Sequence, residues 1–245
     1  DAYNKDFRQN FNIKKNQLIF LQPTRILERK KIERSIELVA AVNKAYKNND
    51  KGVLIISGPT SGPESKEYFE FLVKHARELD VDVLFASDHI YLHRMDREGK
   101  KVYSIDDAYV NADVICFPSA IEGFGNVVIE AAAYKKPLFV NNYPVLREIK
   151  AKGFDFIEMD GELTKETIDK TILILKDKTK RDISLKNNFG IAKQYYSLEA
   201  LEAHLKTLII DADQWTFERL LSEISSMIYR LTKGIMDVLL LKKFR

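Results

Sequence analysis

The chain has 245 residues, 45% of them hydrophobic and 31% charged, with 39 Lys and Arg against 36 Asp and Glu for a net charge of +3. That composition suits a folded domain with one sizeable core, and a charge so near balance, with no basic stripe interleaved with aromatics, excludes the usual footprint of a nucleic-acid binder. The one cysteine, Cys116, sits in an apolar run, so no internal disulfide is available; a reduced, cytoplasmic setting is expected, with Cys116 a core residue.

Residues 1–16 are polar and carry no apolar signal region, which predicts a lead-in segment. Residues 17–22 form a short apolar run and predict a first strand. Residues 31–48 predict a helix, with Ile32, Ile36, Val39, Val42 and Ala45 on one face. Residues 53–57 predict a second strand ended by the turn 58–63. That turn lacks the Gly-Lys-Ser/Thr of a P-loop, so Gly58 is expected only to permit one close backbone approach to a ligand. A helix over 64–79, a strand over 81–86, a loop over 88–93 and a short helix over 105–111 follow. Residues 113–117 then predict a buried strand and 127–134 a helix. Surface helices are expected over 163–177 and 183–194, with another beginning at Ser197.

Strands alternating with helices at these lengths predict an α/β, Rossmann-like parallel sheet with helices on both faces over residues 17–195. Residues 196–245 are expected to be a C-terminal helical extension. From residue 213 an amphipathic stripe that includes Phe217, Leu221, Ile224, Met227 and Leu231 has no evident partner in the sheet domain. It suits packing on another domain, self-association, or contact with a membrane surface, the last kept open by Lys233, Lys242, Lys243 and Arg245.

Ligands in such sheets bind beyond the carboxyl ends of the strands. There the sequence reads Glu122-Gly123-Phe124-Gly125-Asn126-Val127, with a second acid at Glu130. A helix N-terminus presents unbonded N–H groups and the positive end of the macrodipole, and Gly123 and Gly125 let a phosphate approach the backbone. The backbone N–H of Phe124 is expected to matter more than its ring, which suits a plug beneath the turn. Glu130, one turn inside the helix, leans back over that opening and can accept hydrogen bonds from ligand hydroxyls. The arrangement suits a sugar nucleotide. Arg25 and Lys30, beyond the first strand, match a diphosphate, while Arg29 and Arg34 are expected to stay on the surface. His75, His89, His93 and His204 show no metal-ligand spacing, so no metal or other cofactor is expected.

Glu-Gly-Phe-Gly with a second glutamate at this spacing resembles the paired-glutamate motif of the retaining glycosyltransferases of the family-4 type, which have the GT-B fold. Residues 23–31 are similar to that family's diphosphate-binding Arg-x4-Lys segment, and 135–140 to the strand entry after its motif helix. The resemblance runs from about residue 17 to about residue 210, with one departure at Lys31, where the family usually has glycine. It implies that Glu122 contacts the donor sugar, Glu130 the ribose, Arg25 and Lys30 the diphosphate, and the backbone near Ile90 the base. The catalytic set implied is Arg25, Lys30 and Glu122. The donor-binding set is Gly58, Ile90, Gly123, Phe124, Gly125, Asn126, Val127 and Glu130.

The same resemblance implies transfer of a hexose from a UDP or GDP sugar to an acceptor hydroxyl with retention, the acceptor being a glycan, a lipid or a small molecule. It also implies that this chain is the donor-binding half, without the N-terminal acceptor domain. A non-catalytic subunit of similar fold and a sugar-nucleotide epimerase are the alternatives, and detection of transferred sugar, epimerised sugar or neither separates them.

Overall fold

A parallel sheet covered on both faces favours strands that are near-continuous apolar runs, and the strands β1 (Ile19–Gln22), β2 (Val53–Ile56), β7 (Val114–Phe117) and β8 (Leu138–Asn141) are buried throughout. The computed structural model describes residues 2–46, 51–60, 62, 64–97, 99–208 and 221–226. The other strands are β3 (Asp82–Phe85), β4 (Ile90–Tyr91), β5 (Met95–Arg97), β6 (Lys100–Ser104) and β9 (Ile157–Met159). The helices are α1 (Phe7–Asn10), α2 (Ile32–Tyr46), α3 (Glu64–Glu78), α4 (Ile105–Asn111), α5 (Asn126–Ala133), α6 (Pro144–Lys150), α7 (Lys165–Lys176), α8 (Lys178–Tyr196) and α9 (Leu198–Leu208).

Six strands form one parallel sheet in the order β3-β2-β1-β7-β8-β9. The α/β, Rossmann-like reading is therefore correct. Successive side chains alternate between the faces. Ile19, Leu21, Ile55, Ile115, Phe117 and Val140 join Tyr109, Val128, Ile129 and Leu146 on one side. Phe20, Leu54, Ile56, Val114, Cys116 and Phe139 join Ile32, Ile36, Val39, Leu72 and Leu175 on the other. Cys116 is fully buried on the α2 side, as expected of a core residue.

Three features differ from the sequence-based expectations. Residues 2–16 pack onto the domain: Phe7 is fully buried and its ring meets Tyr103 at 4.9 Å. The loop expected over 88–93 contains β4, which pairs with β6 in a small second sheet of order β4-β6-β5. Its strands have only two to five residues, and β5 and β6 carry charge, so they are too short and polar to show a strand period. The helix at the motif begins at Asn126, immediately after Gly125, and α2 begins only after Lys31, whose φ of 48° and ψ of 47° end the preceding 3-10 turn in left-handed geometry. That conformation is the one glycine adopts freely. Most of the C-terminal stripe, including Phe217, Met227 and Leu231, lies outside the described residues, whereas Leu221 and Ile224 are helical and half-buried. Among the described residues, no helix is long and apolar enough to cross a membrane.

Candidate functional site

The strand order reverses between β1 and β7, which are direct neighbours through Phe20 with Val114 and Leu21 with Ile115. A crevice opens beyond the carboxyl ends of strands at such a reversal. The two segments that leave these strands are 23–31 and 118–125, the two that carry the basic and acidic motifs.

The first segment is fixed from beneath by a buried polar triad. Gln22 donates from Nε2 to Thr24 Oγ1 at 3.0 Å and accepts from the Ser35 hydroxyl of α2 at 2.7 Å. The segment is also tied sideways, because the Ile26 amide donates to the Pro59 carbonyl at 3.0 Å. Gly58 belongs to this contact. A Cβ on Gly58 would lie 2.2 Å from the Thr24 carbonyl oxygen and 2.4 Å from the Arg25 nitrogen. The close approach that requires glycine there is made by the chain's own backbone.

The second segment meets the first through the Ala120 amide, which donates to the Arg29 carbonyl at 2.9 Å. Lys30 donates to Glu122 Oε1 from a position where both side chains are 11% exposed. Its ammonium also stands 5.2 Å from the Phe117 ring centroid. Burial pulls the Lys30 ammonium below its ordinary value, and the Glu122 carboxylate offsets part of that fall. Arg29 reaches the same carboxylate oxygen at 3.2 Å and donates to the Ile121 carbonyl at 3.2 Å. It stays exposed, as expected, while joining the ion cluster; Arg34 pairs with Glu37 at 2.9 Å, as a helix-surface residue does. Arg25 is exposed and follows β1 in the same segment as Lys30, and its charge adds slightly to the lowering of the Lys30 ammonium.

Gly125 has φ of 89°, and the Tyr143 hydroxyl lies where its Cβ would be. That hydroxyl donates to the Phe124 carbonyl at 3.0 Å and secures the turn. Phe124 does not plug the core. Its ring is 39% exposed and rests against Tyr196 at 5.7 Å, because the tight turn at Gly125 aims it outward. The N-cap of α5 is Gly125, which has no side chain to bond the first-turn amides of Asn126 and Val127, so these keep the outward-facing character of a helix start. Around Gly123 a Cβ would meet nothing within 4 Å.

Beside this rim lies a cleft of about 380 Å³ whose walls include Pro23, Ser57, Pro59, Asp88, Ile90 and Glu130. The structure thus brings Ile90 and Glu130 to one cleft, and Lys30, Arg29 and Glu122 to one ion cluster, whose residues are not among those lining that cleft. Asp106, Tyr109 and Tyr134 also line the cleft and were not marked by any motif. The Tyr109 hydroxyl donates to Glu130 Oε2 at 2.5 Å, and the Tyr134 hydroxyl donates to Asp106. The sequence carries no local signal for them, since the contacts join α4 to α5 across the chain. Among the described residues, no group of three or more His, Cys, Asp or Glu side chains is placed to hold a metal ion.

A doubly wound parallel sheet with a basic segment and an uncapped helix start meeting at its reversal point defines a Rossmann-like domain whose ligand site lies at the strand ends. The chain belongs to the group 1 glycosyl transferases, whose family model matches residues 4–189. It is 34% identical over 183 residues to the mannosylglucosylglycerate synthase of Petrotoga mobilis, a match covering 68% of this chain and 41% of that protein. To the synthase of the same name from Thermotoga maritima it is 27% identical over 218 residues, covering 80% and 49%. The chain therefore spans less than half the length of these relatives. Among solved structures, HepE of Anabaena in complex with UDP and glucose superposes with a TM-score of 0.63 at 17% identity, over 92% of this chain and 52% of that one. The C-terminal domain of the group 1 protein LpcC from Francisella tularensis superposes with a TM-score of 0.60 at 18% identity, over 80% and 93%. These likenesses confirm the expected GT-B family and fold.

Proposed function

We propose that this chain is the donor-binding half of a retaining glycosyltransferase, which moves a hexose from a nucleoside-diphosphate sugar to an acceptor hydroxyl in a cytoplasmic setting. The observation that carries the reading is the meeting of Lys30 and Arg29 with Glu122 at the strand-order reversal, beside a helix start whose N-cap is Gly125. Loss of the diphosphate builds negative charge on the leaving oxygen, and fixed cations and backbone amides stabilise it with little reorganisation. Glu122 binds the donor sugar's hydroxyls and keeps Lys30 and Arg29 in place before the diphosphate arrives. Glu130 takes the ribose, and the Ile90 backbone the base.

In the transfer itself the bond from the anomeric carbon to the diphosphate oxygen breaks. The bond to the acceptor oxygen forms on the same face, and the acceptor's proton passes to the departing phosphate. No carboxylate nucleophile is required. Both synthases named above carry "mannosyl" in their names, which favours mannose as the hexose.

The test is calorimetric titration of the chain with UDP, GDP and ADP and with the matching nucleosides. One diphosphate should bind far more tightly than its nucleoside. Arg25→Ala with Lys30→Ala should remove about 10- to 100-fold of that advantage for each charge-assisted bond lost. Equal binding of nucleoside and diphosphate by the wild-type chain would overturn the proposal.

A further inference from the structure

Two tyrosines stand behind the carboxylates of the cleft. Tyr109, 1% exposed on α4, donates its hydroxyl to Glu130 Oε2 at 2.5 Å. Tyr134, four residues beyond Glu130 and half-buried, stacks its ring on that of Tyr109 with centroids 4.7 Å apart and planes 12° apart. The Tyr134 hydroxyl in turn donates to Asp106 on α4. The stack therefore clamps α4 to α5 directly under the cleft, and Glu130, Tyr109, Tyr134 and Asp106 all line its wall.

A glutamate has three side-chain torsions, and its carboxylate samples several positions when only water holds it. We infer that Tyr109 is a positioning residue for donor recognition: its buried hydroxyl fixes the Glu130 carboxylate across the cleft in the orientation that accepts hydrogen bonds from the two ribose hydroxyls of the nucleotide. This rests on the donor-binding reading of Glu130 given above. The bond has a fixed direction. Burial, together with the neighbouring Glu130 and Asp106 charges, pushes the Tyr109 phenol well above its ordinary value, so the proton stays on Tyr109 and Glu130 remains the acceptor. A carboxylate anchored in this way loses less torsional freedom when a ribose binds, which is how preorganisation raises affinity.

The inference is specific to the ribose, so the readout is a ratio. UDP and GDP are titrated calorimetrically beside their 2′-deoxy and 3′-deoxy analogues, using the full chain. The wild type is expected to prefer the ribose forms, and Tyr109→Phe to weaken ribose binding about tenfold while leaving the deoxy forms nearly unchanged, as loss of one bond to a charged group implies. Thermal melting checks that the variant is folded. Tyr134→Leu, which removes the stacked ring and leaves the Tyr109 hydroxyl, is the second variant and should lower the ratio partially. Glu130→Gln separates the two claims. If it leaves the ratio unchanged, Glu130 does not take the ribose, and both that assignment and this inference fall. If Glu130→Gln collapses the ratio while Tyr109→Phe and Tyr134→Leu preserve it, the donor-site reading stands and Tyr109 is only a structural residue.

Discussion

Gly125→Ala is expected to damage the fold at the point where the motif turn meets the core. Gly125 has φ of 89°, in the left-handed region, where a residue with a side chain is less favourable by roughly 1–2 kcal/mol. A Cβ at this position would lie 2.3 Å from the Tyr143 hydroxyl and 2.9 Å from Phe117 Cε1. Both rings are only 1% exposed, so neither has room to step aside. Overpacking of that kind costs about 1–3 kcal/mol. If Tyr143 does shift, its bond to the Phe124 carbonyl breaks, which costs about 1 kcal/mol more. The combined loss is therefore roughly 3–6 kcal/mol, a large share of the stability of an ordinary domain. Equilibrium urea unfolding followed by circular dichroism measures it. Tyr143→Phe removes the oxygen that the new methyl meets, so the double variant should be more stable than the two single losses predict, by about 1 kcal/mol or more. A Gly125→Ala protein within about 1 kcal/mol of wild type, or strict additivity in the cycle, would refute the packing argument.

The other glycines of the site should separate by what surrounds them. Gly58→Ala, facing backbone atoms at 2.2 Å and 2.4 Å, should destabilise the chain strongly in the same unfolding assay; Gly123→Ala, with open space around its Cβ, should melt like wild type and yet bind nucleoside diphosphates more weakly. A stable Gly58→Ala or an unstable Gly123→Ala would contradict this. Burial pushes the Cys116 thiol up to about 12, with Ser35 opposing slightly. A thiol reagent at pH 8 should thus leave the native chain unmodified and react once urea unfolds it, whereas rapid labelling of the native chain would refute the placement. Burial alone would raise the Asp107 carboxyl, but bonds from Arg94 and Ser104 outweigh it and hold the group below its ordinary value. Because the folded group titrates lower than the unfolded one, its stabilisation is present above about pH 4 and disappears as pH falls below that. Asp107→Asn should therefore cost about 1–2 kcal/mol at pH 7, the partly exposed Arg94 limiting the loss, with a shrinking difference from wild type in acid melts. A constant difference down to pH 2 would show that Asp107 is not the titrating group.

The architecture was legible in the chain because it rests on local periodicity. Apolar runs at 19–22, 53–56 and 114–117 have the length and continuity of strands buried on both faces, and Ile105–Asn111 is a helix over the predicted bounds. The motif residues Glu122, Gly125 and Glu130 were legible for a similar reason, since a turn that must reverse direction at a helix start restricts its own residue types. The β4-β6-β5 sheet was not legible, because strands of two to five residues, two of them charged, are too short to show a diagnostic period. Nor were Arg29, Tyr109 and Tyr134. A basic residue among basic neighbours looks like solvated surface until Glu122 is folded against it, and a tyrosine in a short helix shows no partner until a carboxylate from another helix meets its hydroxyl. Backbone propensity and face are properties of a short window of chain, whereas a side chain's partner is a property of the fold. The amino-acid order alone determined which segments are strands and helices and where the turn chemistry sits; the tertiary structure alone decided which charges share an oxygen and which hydroxyl holds Glu130.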